Sequence, residues 1–97
     1  MSLFLFRLLP PRPDFAQTMT PAEQDAMAQH QEYWQQLLAG GRVVVYGPVA
    51  DPEGIWGLGV LRAESQEETL LLGQNDPAVT SGVCTFDVME IIGGRTG

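Results

Sequence analysis

Two polar side chains of this 97-residue sequence are of types that could perform acid–base chemistry. His30 is the only histidine, and imidazole is the side chain that exchanges a proton near neutral pH. It lies between Met27 and Trp34 on an apolar helical stripe, where a buried, hydrogen-bonded structural histidine is the simpler interpretation. Asp76 precedes Pro77, a position typical of turn-forming residues that bond nearby backbone groups.

Arg7 is a charged residue within the otherwise apolar segment from Leu3 to Leu9. A charge in such a segment needs a partner or a bound anion. The alternative is an edge or strand-end position from which the side chain reaches water. The sequence leaves both interpretations open.

The composition supports no cofactor or metal site. The absence of lysine removes Schiff-base and P-loop chemistry. His30 has no second histidine or cysteine pair to complete a set of metal ligands. Cys84 has no neighbouring His or Lys that would lower its pKa, so we predict a small core residue there. The glycines Gly54, Gly57 and Gly59 fall in a predicted hairpin and not before a helix, which argues against a dinucleotide site.

Charge and hydropathy limit the partners of the protein. The net charge is −7, and the five basic residues are dispersed arginines, so we expect no binding to nucleic acid. The longest aliphatic or aromatic runs are four residues, too short for a membrane span. The run from Leu3 to Phe6 has neither a basic residue before it nor a cleavage site after it, so we expect a cytoplasmic protein without membrane contact.

Start and stop signals divide the first half of the chain into a strand and a helix. Prolines at 10, 11 and 13 end the strand from Leu3 to Leu9. Thr20-Pro21-Ala22-Glu23 is a capping-box pattern with proline at the first helical position, and Gly40-Gly41 ends a helix of about twenty residues. The apolar face of that helix is made of Met27, His30, Trp34, Leu37 and Leu38.

The second half of the chain is predicted to form a hairpin, a shorter helix and a last strand. The predicted strands are 42–49, 55–62 and 83–92, and the helix runs from Ser65 to about Asn75, because Pro77 disfavours helical geometry at Asp76. Residues 93–97 have no apolar content, so we predict a frayed tail after a single domain of residues 1–92.

The order β-α-β-β-α-β predicts an α+β, ferredoxin-like fold with a four-stranded antiparallel sheet and two helices on one face. The predicted strands are apolar on both faces and do not alternate with polar residues. Two helices cover one face only, and the other needs a second sheet. We therefore expect a homodimer packed sheet to sheet.

An ordered set of short motifs resembles the YCII-related (YciI-like) proteins over residues 3–92. The motifs are Pro10 to Phe15, Met19 to Glu23, Met27 followed by His30, Tyr33-Trp34, Gly47-Pro48-Val49 with Asp51-Pro52 and Gly54, and Asn75-Asp76-Pro77 with Gly82. The resemblance implies a dimeric α+β barrel and an active site built from His30 and Asp76. Many relatives carry Arg where this chain has Met27, and the usual Pro-containing end of the last strand is replaced by Ile91-Ile92-Gly93-Gly94. If that Arg binds anions, Arg7 or Arg12 must substitute for it or the substrate differs.

In this interpretation Asp76 fixes the tautomer of the imidazole and His30 moves a proton on a small ligand. That chemistry suits an isomerase, a lyase or a hydrolase that works through water. The predicted ligand-binding residues are Arg7, Phe15, Tyr33, Trp34, Gly47 and Pro48, with Phe6 as a further wall. The alternatives are a non-catalytic ligand-binding or sensor dimer, and a structural dimer without a site.

The predicted topology does not by itself bring His30 and Asp76 together. It puts Asp76 near the start of the first helix. His30 lies ten residues from Thr20, or about 15 Å along the helix. Helix tilt, a late helix start, Arg7 or a water would have to bridge that distance.

Overall fold

Four strands and two long helices form the chain, with a single-turn helix before each of α2 and β4. The computed structural model describes residues 1–97. The elements are β1 (Ser2–Leu9), α1 (Phe15–Thr18), α2 (Pro21–Ala39), β2 (Val43–Val49), β3 (Trp56–Ala63), α3 (Gln66–Gln74), α4 (Pro77–Thr80) and β4 (Thr85–Ile91). The predicted order of strands and long helices is confirmed, whereas α1 and α4 were not predicted. The last strand begins at Thr85 and not at Val83, because Val83 lies in the turn that follows α4.

The sheet is antiparallel, with the strand order β2-β3-β1-β4. The first strand is central, so Phe6 lies opposite Gly59 on one side and Val88 on the other. An irregularity between Val43 and Val45 shifts the register of the β2–β3 pair. This order confirms the α+β, ferredoxin-like arrangement.

The inner face of the sheet carries the core beneath the helices. Phe4, Phe6 and Leu8 of β1 are buried, as are Leu61 of β3 and Val88 of β4. Trp34 of α2 belongs to the same cluster and is 2% exposed. The core therefore lies between the sheet and α2 and α3.

The outer face is also apolar, although no element of the chain covers it. Register places seven aliphatic side chains and one thioether there: Leu3, Leu5, Val45, Val49, Leu58, Val60, Met89 and Ile91. Val45 and Met89 are nearly half exposed. No helix of the chain is both long and apolar enough to cross a membrane.

The start of α2 is fixed by its own cap and by an arginine from the preceding loop. The Thr20 side chain accepts from the Glu23 amide while the Glu23 carboxylate accepts from the Thr20 amide. Arg12 donates to both oxygens of Glu23 and to the Thr18 carbonyl. The Arg12 guanidinium and then the Thr20 amide lower the pKa of Glu23 to about 2.

Two glycines permit close approaches that position the site. A Cβ at Gly59 would lie 2.6 Å from ring atoms of Trp34, so only glycine lets that indole rest on β3. Gly54 has φ +138°, and a Cβ there would meet the Pro13 carbonyl at 2.8 Å. The β2–β3 turn therefore packs directly against the proline loop that follows β1.

Candidate functional site

Asp76 lies at the junction between α3 and α4. Asn75 caps the end of α3, and Asp76 is the N-cap of α4, with Pro77 at the first helical position. Its Oδ1 accepts from the Ala78 amide at 2.9 Å. The turn-forming role expected of an Asp before proline is therefore present.

The same carboxylate contacts His30. The imidazole Nδ1 lies 3.0 Å from Asp76 Oδ1 and 2.8 Å from Oδ2. The separation of about 15 Å suggested by topology is wrong, because α2 has 19 residues and α3 only 9. The end of α2 and the start of α3 lie at the same end of the sheet, where Arg42 pairs with Glu68. The shorter helix therefore ends beside the middle of α2, where His30 lies.

Trp34 supplies a further donor to Asp76. Its indole Nε1 donates to Asp76 Oδ2 at 2.7 Å. The Asp76 side chain is 0% exposed, and it accepts from a backbone amide, an indole and an imidazole. The buried carboxylate is therefore fully engaged in hydrogen bonds.

The network determines which nitrogen of His30 is free. An ionised carboxylate only accepts hydrogen bonds, so Nδ1 carries a hydrogen and donates it to Asp76. The chain offers Nε2 no partner, yet no buried polar atom is unsatisfied. Nε2 is therefore open to solvent or to a ligand.

A cavity of about 440 Å³ adjoins His30. Its walls come from the loop and single turn before α2, from one face of α2, and from the β2–β3 hairpin. Thirteen of its 20 lining residues are hydrophobic. Asp76 is not among them, so His30 stands between the carboxylate and the cavity.

The predicted ligand-binding residues divide into two groups. Phe15, Trp34, Gly47 and Pro48 line the cavity, together with His30. The predicted wall Phe6 also lines it, from beneath. Tyr33 and Arg7 do not line it.

Tyr33 and Arg7 are engaged elsewhere. The Tyr33 hydroxyl donates to the Leu72 carbonyl at 2.7 Å, which ties α2 to α3. Burial and then the Asp76 carboxylate raise the pKa of Tyr33. Arg7 lies on the outer sheet face, where it forms two hydrogen bonds with Asp87 and lies over the Trp56 ring, 5.9 Å from its centroid.

Several lining residues were not anticipated from the sequence. Trp56, Met19 and Tyr46 line the cavity, and the proline and glycine loops that bring them there gave no long-range signal. Cys84 was predicted as a core residue and is 5% exposed, but it also lines the cavity. Burial and then the Asp76 and Glu23 carboxylates raise its pKa to about 11. A thiol in that state is a poor nucleophile.

The residues of the site do not form a metal-binding cluster. No three His, Cys, Asp or Glu side chains come together anywhere in residues 1–97. The chemistry available to this arrangement is therefore proton transfer at His30 Nε2, beside a largely apolar cavity.

The chain is similar to known proteins at the level of family, sequence and structure. The model of the YCII-related domain matches residues 4–92. An uncharacterized protein of Bacillus subtilis, YjpA, is 36% identical over 67 residues, which are 69% of this chain and 76% of that protein. A solved structure with a TM-score of 0.69 and 25% identity covers 95% of both chains. It is 5-chloro-2-hydroxyhydroquinone dehydrochlorinase (TftG) from Burkholderia phenoliruptrix, in complex with 2,5-dihydroxybenzoquinone.

Proposed function

We propose that this chain, which belongs to the YCII-related family, is a small-molecule enzyme that uses His30 and Asp76 as an acid–base pair. One observation carries the proposal. His30 is held through Nδ1 by a fully buried carboxylate, while Nε2 has no partner in the chain and the ring lines a cavity. A histidine that only filled a core would have both nitrogens bonded or buried.

In the proposed reaction, Nε2 of neutral His30 removes a proton from the ligand. Asp76 then faces an imidazolium across the Nδ1 hydrogen bond, which stabilises the new positive charge. The ring returns the proton to another ligand atom, to a leaving group or to an intermediate formed by water. Isomerisation, elimination and hydrolysis all fit this sequence of steps. Cys84 takes no part as a nucleophile, because its pKa of about 11 keeps the thiol protonated.

The solved structural neighbour supports enzyme chemistry of this kind. It is named a dehydrochlorinase, and loss of hydrogen chloride is an elimination that removes a proton from the substrate. The likeness extends over almost the whole of both chains. An elimination or isomerisation on a ring compound is therefore the reaction type that we favour.

A non-catalytic ligand-binding dimer is the second candidate. Asp76 also caps α4 and joins it to α2 through Trp34 and His30. The His30–Asp76 contact thus has a structural use that does not require turnover. In this alternative the cavity holds a metabolite without converting it.

The test uses proton exchange, which needs no known product. Ring compounds with acidic C–H groups are incubated with the protein in D₂O, and exchange is followed by NMR. We expect wild type to catalyse exchange and His30→Gln to lose about a hundred- to ten-thousand-fold of that rate. A glutamine amide can still donate to Asp76, so thermal unfolding should stay close to wild type. Compounds that bind without exchanging would favour the non-catalytic alternative, and a variant that simply unfolds would favour a structural histidine.

We also propose that the outer sheet face forms the interface of a homodimer. The support is the largely apolar surface, interrupted by the Arg7–Asp87 pair, that no element of the chain covers. Analytical ultracentrifugation at micromolar concentration should give twice the chain mass. A species of 10.6 kDa would contradict the dimer.

A further inference from the structure

We infer that the cavity beside His30 selects a flat ring carrying a neutral hydroxyl group, and that it rejects carboxylates, phosphates and sulfonates. The inference rests on the proposed site, since it names the class of ligand that His30 would act on. Three features of the cavity lead to it: the absence of arginine and lysine, the composition of the walls and the hydrogen on Nδ1.

No arginine or lysine is available to an anionic ligand. None of the 20 lining residues is Arg, and the chain has no Lys. Arg12, in the loop before α2, is already bonded to Glu23 and Thr18, and Arg7 is bonded to Asp87. A ligand that arrives as an anion would lose its hydration without gaining an ion pair from a permanent cation.

The charges near the cavity make an anion still less favourable. The Asp76 carboxylate lies directly behind His30, and the chain as a whole carries a net charge of −7. Both repel a negative ligand. A neutral ligand avoids both the desolvation of a charge and the repulsion by these negative charges.

The walls suit a flat ring. Trp34, Trp56 and Phe15 present aromatic surfaces, and Met19, Met27 and Cys84 present sulfur atoms. Sulfur and aromatic groups both make favourable contacts with ring systems. A cavity of about 150 Å³ accommodates benzene, so one of about 440 Å³ has room for a substituted ring.

The tautomer of His30 determines the polar group of the ligand. Because Nδ1 carries the hydrogen, Nε2 of the neutral ring accepts, and the ligand must supply an O–H donor. Transfer breaks the ligand O–H bond and forms the Nε2–H bond, with both electrons of the O–H bond left on oxygen. The resulting oxyanion lies beside the imidazolium, so the total charge of the site is unchanged.

Three matched compounds test the inference by binding alone. Methyl 4-hydroxybenzoate is neutral and has a hydroxyl, 4-hydroxybenzoate has the hydroxyl and a carboxylate, and methyl benzoate is neutral without a hydroxyl. The chain has two tryptophans, and both line the cavity, so their indole N–H signals report binding by NMR. We expect the hydroxy ester to bind at least tenfold more tightly than either of the others.

Other results would overturn the inference. Equal or tighter binding of 4-hydroxybenzoate would show that the cavity accepts anions. Equal binding of methyl benzoate would show that no hydroxyl is recognised. No binding of the hydroxy ester up to its solubility limit would also contradict the proposed class.

A charge variant provides the matched control. Gln24 is an exposed residue of α2 that lines the cavity, whereas Gln36 lies on the same helix and does not line it. Gln24→Arg should improve binding of 4-hydroxybenzoate severalfold relative to the ester, and Gln36→Arg should leave the ratio unchanged. An identical effect of both variants would contradict the inference.

These results are separable from those of the exchange experiment. Selective binding of the hydroxy ester without proton exchange on any compound would reject the acid–base function and leave the ligand class standing. Exchange that is fastest on carboxylate-bearing rings would reject the ligand class and leave the acid–base function standing.

Discussion

Two of the close pairs between a carboxylate and a nitrogen-bearing side chain lie on opposite faces of one sheet. On the helix side, Asp76 and His30 have side chains that are 0% and 12% exposed. On the outer face, Arg7 and Asp87 are 38% and 39% exposed. From the sequence, Arg7 and His30 were comparable candidates, since each is a polar residue in an apolar setting.

The two pairs differ in what remains free after pairing. Arg7 Nε and Nη2 donate to the two oxygens of Asp87, so the fork of the guanidinium closes on one carboxylate. His30 uses one nitrogen and keeps the other beside a cavity. The unused polar atom next to a cavity, more than the burial of the pair, is what makes the His30 pair suited to chemistry.

The largest expected effect comes from breaking the buried pair. Asp76→Asn replaces a buried carboxylate that accepts from three donors by a neutral amide. Hydrogen bonds to a charged group contribute about 1.5–3 kcal/mol each, so we expect a loss of several kcal/mol. Asp87→Asn is the matched control on the outer face, and at protein concentrations at which the chain is monomeric its effect should be much smaller, because exposed pairs contribute little. Urea unfolding of both variants measures the difference. Equal losses in the monomer would contradict the contrast, whereas an Asp87→Asn loss that grows with protein concentration would support the proposed homodimer.

A smaller effect is expected from the indole that supports Asp76. Trp34→Phe removes a donor to a buried carboxylate, which should lower the free energy of unfolding by about 1–3 kcal/mol. Trp56→Phe is the control, since Trp56 Nε1 also donates to an aspartate, Asp51, at 3.0 Å. Water can replace the donor at the partly exposed Asp51, so that loss should be smaller. A larger loss of stability from Trp56→Phe than from Trp34→Phe would contradict the importance assigned to burial.

The smallest effect concerns the partly buried pair Arg12–Glu23 and appears as a dependence on pH. The pKa of Glu23 is lowered from an ordinary value of 4.5 to about 2. Its contribution to stability is therefore present above pH 4.5 and is lost as the pH falls towards 2. Glu23→Gln should remove the part of the stability loss that comes from protonation of Glu23, as measured by thermal unfolding between pH 5 and 2. If the thermal stability of variant and wild type fell equally with falling pH, the Arg12–Glu23 ion pair would be contradicted.

Local signals predicted much of the fold. The Thr20–Glu23 capping box and Gly40 mark the ends of α2 in both sequence and structure, because caps depend on neighbouring residues only. Proline at 77 correctly ended α3 before Asp76. The single turn that follows, α4, was missed because four residues carry no periodic pattern.

Long-range contacts were harder to predict. The partner of Arg7 is 80 residues away, and only the register Arg7↔Asp87 between β1 and β4 brings them together. The distance between His30 and Asp76 depends on the unequal lengths of α2 and α3, which topology alone does not include. The roles of both residues came from a family resemblance, and their catalytic use stays a proposal.

Because the Ala78 amide donates a hydrogen bond to Asp76, the signal of this backbone N–H reports on the state of the site. That amide belongs to the first turn of α4 and donates to Oδ1, which also lies 3.0 Å from the imidazole Nδ1. Any change of charge on His30 alters the electric field at this N–H, and any loosening of the carboxylate exposes the amide to solvent exchange. One resonance in an amide spectrum therefore records both the protonation of the imidazole and the integrity of the junction, with no label, dye or substrate added.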